Sequence, residues 1–178
     1  MINRLKIGLF NTNGLNRSTD EIIQQCQLHH IDIILLTETF LVRGRLNTDW
    51  IQLHTYAIQE AHHDKGFGGL TLLVRPDLNL HVHQLPYHNN HTLSFRLGDY
   101  TFHGLYLPPA LSNAQCTERL DCLRIDDHTI ILGDLNARLR RFGDHNTNVR
   151  GTAVLDPWLT DNGLCGIQVG IVQQYRVN

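Results

Sequence analysis

Apolar runs separated by short polar segments predict a set of buried strands. The runs IDIILLTE (residues 31–38) and HTIILGDLN (128–136) are continuous, Ile-rich and Leu-rich, which is typical of strands covered on both faces. The shorter run KIGLF (6–10) is followed by NTNG, where Asn and Gly favour a turn. Each of these three strands is therefore expected to lead into polar residues.

The middle of the chain predicts further strands. Candidates are residues 56–61, the LTLLVR run after Gly68-Gly69, and the alternating stretch 79–85. Residues 92–96 and 100–107 predict a hairpin around Leu97-Gly98-Asp99. Pro108-Pro109 should end its second strand, because proline cannot donate a hydrogen bond to the sheet.

Three helices are predicted between and after the strands. Ser18 with Glu21 forms a capping-box pattern for a helix that reaches about residue 30, and Ser112 with Gln115 opens a second helix. A third helix is expected over residues 154–162, with Pro157 in its first turn and Gly163 after it. This order of elements indicates packed sheets with helices outside.

Composition is that of one ordinary globular domain over residues 1–178. Hydrophobic residues make up 42% and charged residues 18%, with a formal charge of −2, which argues against disorder and against a wholly basic nucleic-acid binder. No apolar run approaches a membrane span. The four cysteines have no metal-site spacing, and four reduced thiols in an intracellular protein are the expectation.

Two predicted buried strands end in acidic residues, so the ends of these strands are candidate sites for catalysis or metal binding. Glu38 closes one strand and Asp134 the other, and a carboxylate fixed by a strand is a natural ligand for Mg²⁺. Asn136 lies two positions after Asp134, on the same side of an extended backbone, and Asn11 and Asn13 repeat this spacing. The alternative is that these Asx residues only form turns.

Taken together, the motifs FNTNGL, LLTETFL, LYLPP and ILGDLNAR resemble the endonuclease/exonuclease/phosphatase superfamily, and its LINE-type retrotransposon endonucleases above all. Gly68-Gly69 and the later N-x-R-G at residues 148–151 fit the same pattern. The resemblance covers residues 5–166 and implies an α/β fold of two packed sheets flanked by helices, the four-layer DNase I-like sandwich.

The resemblance also implies roles for particular residues. Glu38 would be the main ligand of Mg²⁺ (or Mn²⁺), with Asn11 beside it. Asp134 would orient or deprotonate the attacking water, Asn136 would position the scissile phosphate, and Tyr106 would support it.

Contacts to the DNA backbone are expected from the polar turn at Asn13 and from the arginines that follow the GDLN motif, Arg138, Arg140, Arg141 and Arg150. A solvated loop is the alternative for these arginines. The implied partners are DNA and a reverse transcriptase region in a longer parent polypeptide, which would place the activity in the nucleus.

One family motif, a C-terminal S-D-H, does not occur here, and none of the twelve histidines is a convincing substitute. We therefore expect a C-terminally incomplete domain whose second sheet has an open apolar edge. The alternatives to a DNA-nicking enzyme are a catalytically inactive nucleic-acid-binding remnant and a phosphatase of a small phosphorylated molecule.

Overall fold

The computed structural model describes residues 5–15, 19–59, 66–78, 80–86 and 89–165. The first sheet consists of β1 (Ile7–Asn11), β2 (Ile33–Thr37), β3 (Ile51–Thr55) and β4 (Leu70–Val74), in the order β1-β2-β4-β3. β1 and β2 run parallel, whereas β4 is antiparallel to both of its neighbours. Every residue of the two central strands is buried, which confirms the prediction for residues 31–38.

The second sheet consists of β5 (Val82–Gln84), β6 (Thr92–Leu97), β7 (Tyr100–Tyr106) and β8 (Thr129–Asp134), in sequence order. β6 and β7 form the predicted hairpin, since Leu97 pairs with Tyr100 across the Gly98-Asp99 turn. β7 and β8 are parallel. Each sheet therefore contains one parallel pair of strands, a relationship that the functional site depends on.

The two sheets pack face to face through one apolar layer. Ile33 and Leu35 from the first sheet lie in the same cluster as Phe95 and Phe102 from the second, and these two phenyl rings stack with centroids 4.9 Å apart. Gly104 of β7 faces Leu35. Its missing side chain lets the sheets approach closely at the centre of the layer.

Helices cover the outer faces of both sheets. The helix α1 (Thr19–Leu28) packs Ile22 and Cys26 against the outer face of the first sheet. On the second sheet, α2 (Asn113–Asp121) and α3 (Asp156–Asp161) bury Cys116, Leu120 and Trp158 beside Leu105. The predicted arrangement of two packed sheets with flanking helices is confirmed.

Among the described residues, the start of α2 and the end of α3 agree with the predicted helix ends. At the start of α2, Ser112 Oγ accepts from Gln115 N at 3.2 Å, and Gln115 Oε1 accepts from Ser112 N at 2.9 Å, which is the predicted capping box. α3 follows a π-helical turn at Gly151–Leu155 and ends before Gly163, whose φ is +63°. The predicted cap at Ser18 lies outside the described residues.

The strand predicted at residues 56–61 is wrong. The strand is β3, five residues earlier, and Ile58 makes only an isolated bridge to Phe67, while residues 60–61 lie outside the described part. β3 is hard to recognise because it buries a polar side chain. The Gln52 amide is satisfied locally, accepting from Leu46 N and donating to Leu46 O at 2.9 Å each.

Full burial of the strand at residues 128–136 is also wrong. β8 is half-buried and Ile130 is 38% exposed, because within the described residues β8 pairs only with β7. β1 is likewise an edge strand, with Ile7 and Leu9 exposed. Among the described residues the second sheet therefore has the expected open edge, and the first sheet has another. Finally, β5 is shorter than the predicted stretch 79–85.

Candidate functional site

Four predicted site residues come together because the strands that carry them end side by side. In the first sheet, Asn11 is the last residue of β1 and pairs with Thr37, directly before Glu38. In the second sheet, Tyr106 ends β7 and pairs with Asp134, the last residue of β8. Each parallel pair thus delivers its polar residues to the same end of the sandwich.

Asn11 joins the two predicted carboxylates across the boundary between the sheets. Its Nδ2 donates to Glu38 Oε1 at 2.8 Å and to Asp134 Oδ2 at 3.0 Å. Hydrogen bonds to ionised acceptors are among the stronger ones in proteins. One amide therefore holds an acid from each sheet at a single point.

The orientation of Asn11 differs from that of the predicted metal ligand. Its side-chain oxygen Oδ1 accepts from Asn13 N at 3.0 Å, and its NH₂ group faces the carboxylates. An NH₂ group has no lone pair to offer a cation. In this arrangement Asn11 organises the carboxylates and is not itself turned to ligate.

Glu38 directly follows β2 and has a left-handed backbone conformation. Its φ is +54°, a left-handed conformation that costs a non-glycine residue about 1–2 kcal/mol. Its carbonyl oxygen accepts from Thr12 Oγ1 at 2.8 Å and from Gly14 N at 2.6 Å. Such strain, held by neighbouring hydrogen bonds, is typical of functional positions.

Tyr106 is a buried phenol beside both acids. It is 6% exposed and its hydroxyl is hydrogen-bonded to Glu38. Burial raises the pKa of Tyr106 well above its usual range, and the hydrogen bond to Glu38 and the charges of Glu38 and Asp134 raise it further. The hydroxyl therefore stays protonated and acts as a donor.

Asp134 and Asn136 form a tight turn after β8. Asn136 N donates to Asp134 Oδ1 at 3.1 Å, and Asn136 Nδ2 donates to the carbonyl of Leu107 at 3.1 Å. Asn136 has a φ of +49°. Gly133 is required just before this turn, because an added Cβ would lie 2.0 Å from the carbonyl oxygen of Leu105.

The predicted nucleic-acid contacts do not share one environment. Asn13, Arg138 and Arg140 are exposed. Arg141 is also exposed, but it forms a 2.8 Å ion pair with Asp156.

Arg150 is 8% exposed and its guanidinium donates to backbone carbonyls inside the fold. This placement argues against the predicted contact of Arg150 with nucleic acid.

A cleft of about 900 Å³ opens beside Asp134. Asn11, Thr37 and Asp134 line it where the sheets meet, and Asn136, Arg138 and Asn148 line it on the loop side. The Thr37 hydroxyl is buried and has no hydrogen-bond partner within the described residues. The cleft thus offers carboxylates, amides and an arginine to a bound molecule, whereas the Thr37 hydroxyl is not exposed to it.

Two contributors to this site were not predicted. Thr12 supports the carbonyl of Glu38, and Asn148 donates to the carbonyl of Asn136 at 2.9 Å. The only sequence signal for Asn148 was its place in the N-x-R-G motif. Within the described residues, no group of three or more His, Cys, Asp and Glu side chains could hold a metal ion, and no helix there is long and apolar enough to cross a membrane.

Comparison with known sequences gives a consistent set of relatives. Residues 8–166 match the Endonuclease/Exonuclease/phosphatase family. The RNA-directed DNA polymerase from mobile element jockey of Drosophila melanogaster is 30% identical over 155 residues, which cover 83% of this chain and 16% of that protein. The probable RNA-directed DNA polymerase from transposon BS of the same species is 28% identical over 163 residues, covering 84% of this chain and 17% of that protein.

Solved structures agree at the level of the fold. The endonuclease domain of TRAS1, a telomere-specific non-LTR retrotransposon, superposes with a TM-score of 0.71 at 18% identity, over 93% of this chain and 76% of that one. The AP endonuclease LMAP from Leishmania major gives a TM-score of 0.64 at 12% identity, over 89% of this chain and 66% of that one. These likenesses confirm the DNase I-like architecture, and the curated relatives confirm the resemblance to non-LTR retrotransposon proteins.

Proposed function

The chain belongs to the Endonuclease/Exonuclease/phosphatase family, and from this premise we propose that it hydrolyses phosphodiester bonds in DNA as a nicking endonuclease. One observation carries the proposal. Glu38 and Asp134, from opposite sheets, accept hydrogen bonds from the same amide nitrogen of Asn11 next to an open cleft. Paired acids held beside a cleft are suited to activating water on a phosphate ester.

The residues present fit a divalent cation. Glu38 and Asp134 offer hard carboxylate oxygens that the Asn11 amide brings to one point, and Asp134 lines the cleft. Mg²⁺ is commonly bound by one or two carboxylates and keeps several of its waters, so two acids suffice for Mg²⁺ (or Mn²⁺). Such an ion, when bound, would supply a Lewis acid that neutralises charge developing on the phosphate.

Three side chains would carry out the remaining steps of hydrolysis. Asp134 would accept the proton of the attacking water at a carboxylate oxygen, because Asn11 and Asn136 N hold that carboxylate in one orientation. Asn136 Nδ2 carries two hydrogens, of which one is given to Leu107 O, and the second would donate to a phosphate oxygen. Tyr106 is kept protonated by its raised pKa and gives its single hydroxyl hydrogen to Glu38, so it would support the phosphate only by exchanging that hydrogen bond for one to a phosphate oxygen.

DNA is the preferred substrate because the relatives are RNA-directed DNA polymerases of mobile elements. This chain spans 16% and 17% of those proteins, so we propose that it works beside a reverse transcriptase region in a longer polypeptide, in the nucleus. The exposed side chains of Asn13, Arg138, Arg140 and Arg141 would hold the DNA backbone through its phosphates.

The test is nicking of supercoiled plasmid with Mg²⁺ and with EDTA, by the wild type and by Glu38→Gln and Asp134→Asn. Each substitution should lower the rate about a hundredfold or more, as is typical when one electrostatic catalytic group is removed. Asp127→Asn is a matched control, because this exposed acid lies before β8, at the end opposite Asp134.

Two further measurements separate the alternatives. Binding of Mn²⁺ and of a DNA duplex by folded protein, without nicking, would favour the inactive nucleic-acid-binding remnant. Release of phosphate from small phosphate monoesters, lost in Asp134→Asn, would favour a phosphatase. Nicking that persists in EDTA, or in both acid variants, contradicts the proposed mechanism.

A further inference from the structure

Arg150 is a buried cation that binds backbone instead of acids. Its Nη1 donates to Leu107 O at 2.9 Å and to Leu135 O at 3.3 Å, while its Nη2 donates to Pro109 O at 3.2 Å and to Leu111 O at 2.8 Å. A planar guanidinium can serve four acceptors at once in fixed directions. The ammonium of lysine, with three donors on one nitrogen, cannot reproduce this geometry.

One of these carbonyls belongs to the Asp134–Asn136 turn, and the other three belong to the segment that follows β7. Leu135 is the middle residue of that turn. Leu107 N donates to Asp134 O at 2.9 Å, and Leu107 O accepts from Asn136 Nδ2 as well as from Arg150. Arg150 therefore binds the carbonyl of Leu135, directly before Asn136, and also the carbonyl of Leu107, to which the Asn136 side chain donates.

Asn148 also binds the loop that follows β8. Its Nδ2 donates to Asn136 O at 2.9 Å, and its Oδ1 accepts from Arg138 N at 3.0 Å and from Gly151 N at 2.8 Å. A Cβ at Gly151 would lie 2.1 Å from Arg138 O, so the two segments lie against each other. Residues 148–151 thus fasten the loop that follows β8.

We propose that Arg150 is a positioning residue for Asn136, with Asn148 as its partner, and that residues 148–151 set the geometry of the phosphate-binding amide without touching DNA. This rests on the proposed function for the role of Asn136. The backbone of Asn136 is left-handed, a conformation that asparagine reaches more easily than most residues, and the carbonyl contacts of Arg150 hold the residue in it. Arg150 thereby has a different task from the exposed arginines 138 and 140.

The test compares Arg150→Lys and Arg150→Ala with Arg124→Lys, an exposed arginine on the loop before β8. In plasmid nicking, Arg150→Lys should lower kcat roughly tenfold to a hundredfold, the effect of a small misplacement, with KM and DNA affinity in EDTA nearly unchanged. Addition of dilute guanidinium should restore part of the kcat of Arg150→Ala. Unchanged kcat with weakened DNA affinity would overturn the proposal and restore Arg150 as a DNA contact.

A second readout does not depend on catalysis. In ¹⁵N NMR spectra, the side-chain NH₂ signals of Asn136 should shift and lose protection from hydrogen exchange in Arg150→Lys but not in Arg124→Lys. Unchanged Asn136 signals in a folded Arg150→Lys would overturn the proposal even if the wild type does not nick DNA. Changed signals in a protein without nicking activity would instead contradict only the proposed function.

Discussion

Gly104 in β7 lies directly against Leu35 in β2, so that a Cβ added at Gly104 would come within 2.9 Å of Leu35 Cδ2. Leu35 is fully buried and cannot swing away into solvent. At this position the packing of the two sheets therefore depends on the absence of a side chain at Gly104.

We expect Gly104→Ala to lower the free energy of unfolding by about 1–3 kcal/mol, as overpacking of a filled core does. Leu35→Ala should also destabilise the fold, but Gly104→Ala should cost less in that background, because the new methyl fills the space that Leu35 leaves. Urea denaturation of the two single variants and the double variant measures this coupling. Additive effects would mean that the two residues are not in contact.

Because of Tyr106, we expect the free energy of unfolding to decrease at alkaline pH. Because its pKa is raised in the folded state, the folded protein keeps a proton that the unfolded chain loses above about pH 10. The folded state then binds more protons, so stability is complete below that pH and falls as pH rises, by at most about 1.4 kcal/mol per pH unit for one group.

The measurement is urea denaturation across the alkaline range for the wild type and Tyr106→Phe. The buried thiol of Cys26, whose pKa is about 11, adds to the decline in both proteins, so the difference between them isolates Tyr106. Identical slopes would show that Tyr106 ionises as readily in the folded protein as in the unfolded chain.

The cysteines should fall into two classes of reactivity. Cys26 and Cys116 are buried, whereas Cys122 and Cys165 are exposed, and burial raises the pKa of Cys26 to about 11. Because the thiolate is the reacting species, iodoacetamide at mildly alkaline pH should label only Cys122 and Cys165 in the native protein, and all four cysteines in urea. Peptide mapping by mass spectrometry identifies the adducts, and early labelling of Cys26 would contradict its burial.

The capping box of α2 should contribute measurably to stability. Ser112→Ala removes the oxygen that accepts from Gln115 N and should cost about 1 kcal/mol. Asn113→Ala, one residue later on the exposed side of the helix, leaves the cap intact and is the matched control. Equal thermal unfolding of the two variants would show that the cap does not stabilise the native helix.

Much of this fold could be predicted from the sequence, because its central strands carry strong local signals. The apolar runs of β2 and β4 and the β6–β7 hairpin follow directly from hydrophobic pattern and turn residues. β3 was misplaced because Gln52, a polar residue, points inward and is satisfied by Leu46. β8 was predicted to be fully buried because its composition is that of a central strand, although it lies at an edge.

The candidate site was predictable in its members but not in its contacts. Glu38 and Asp134 could be chosen because each ends a continuous apolar run. That Asn11 turns its NH₂ group towards both acids depends on partners 27 and 123 residues away, which no local pattern encodes. Arginine in a loop predicts a solvent-exposed charge, so the carbonyl contacts of Arg150 were likewise invisible to local reasoning.

The hydrogen bond from Asn11 to Asp134 also determines when, during synthesis of the chain, the site can be complete. During synthesis, the chain that has left the ribosome contains β1, β2 and Glu38 well before it contains β8. Such a nascent chain lacks Asp134, and any nuclease activity has to wait until the second sheet has docked on the first. Conditions that separate the two sheets would break the same bridge, so the proposed activity should be lost no later than the packing between the sheets.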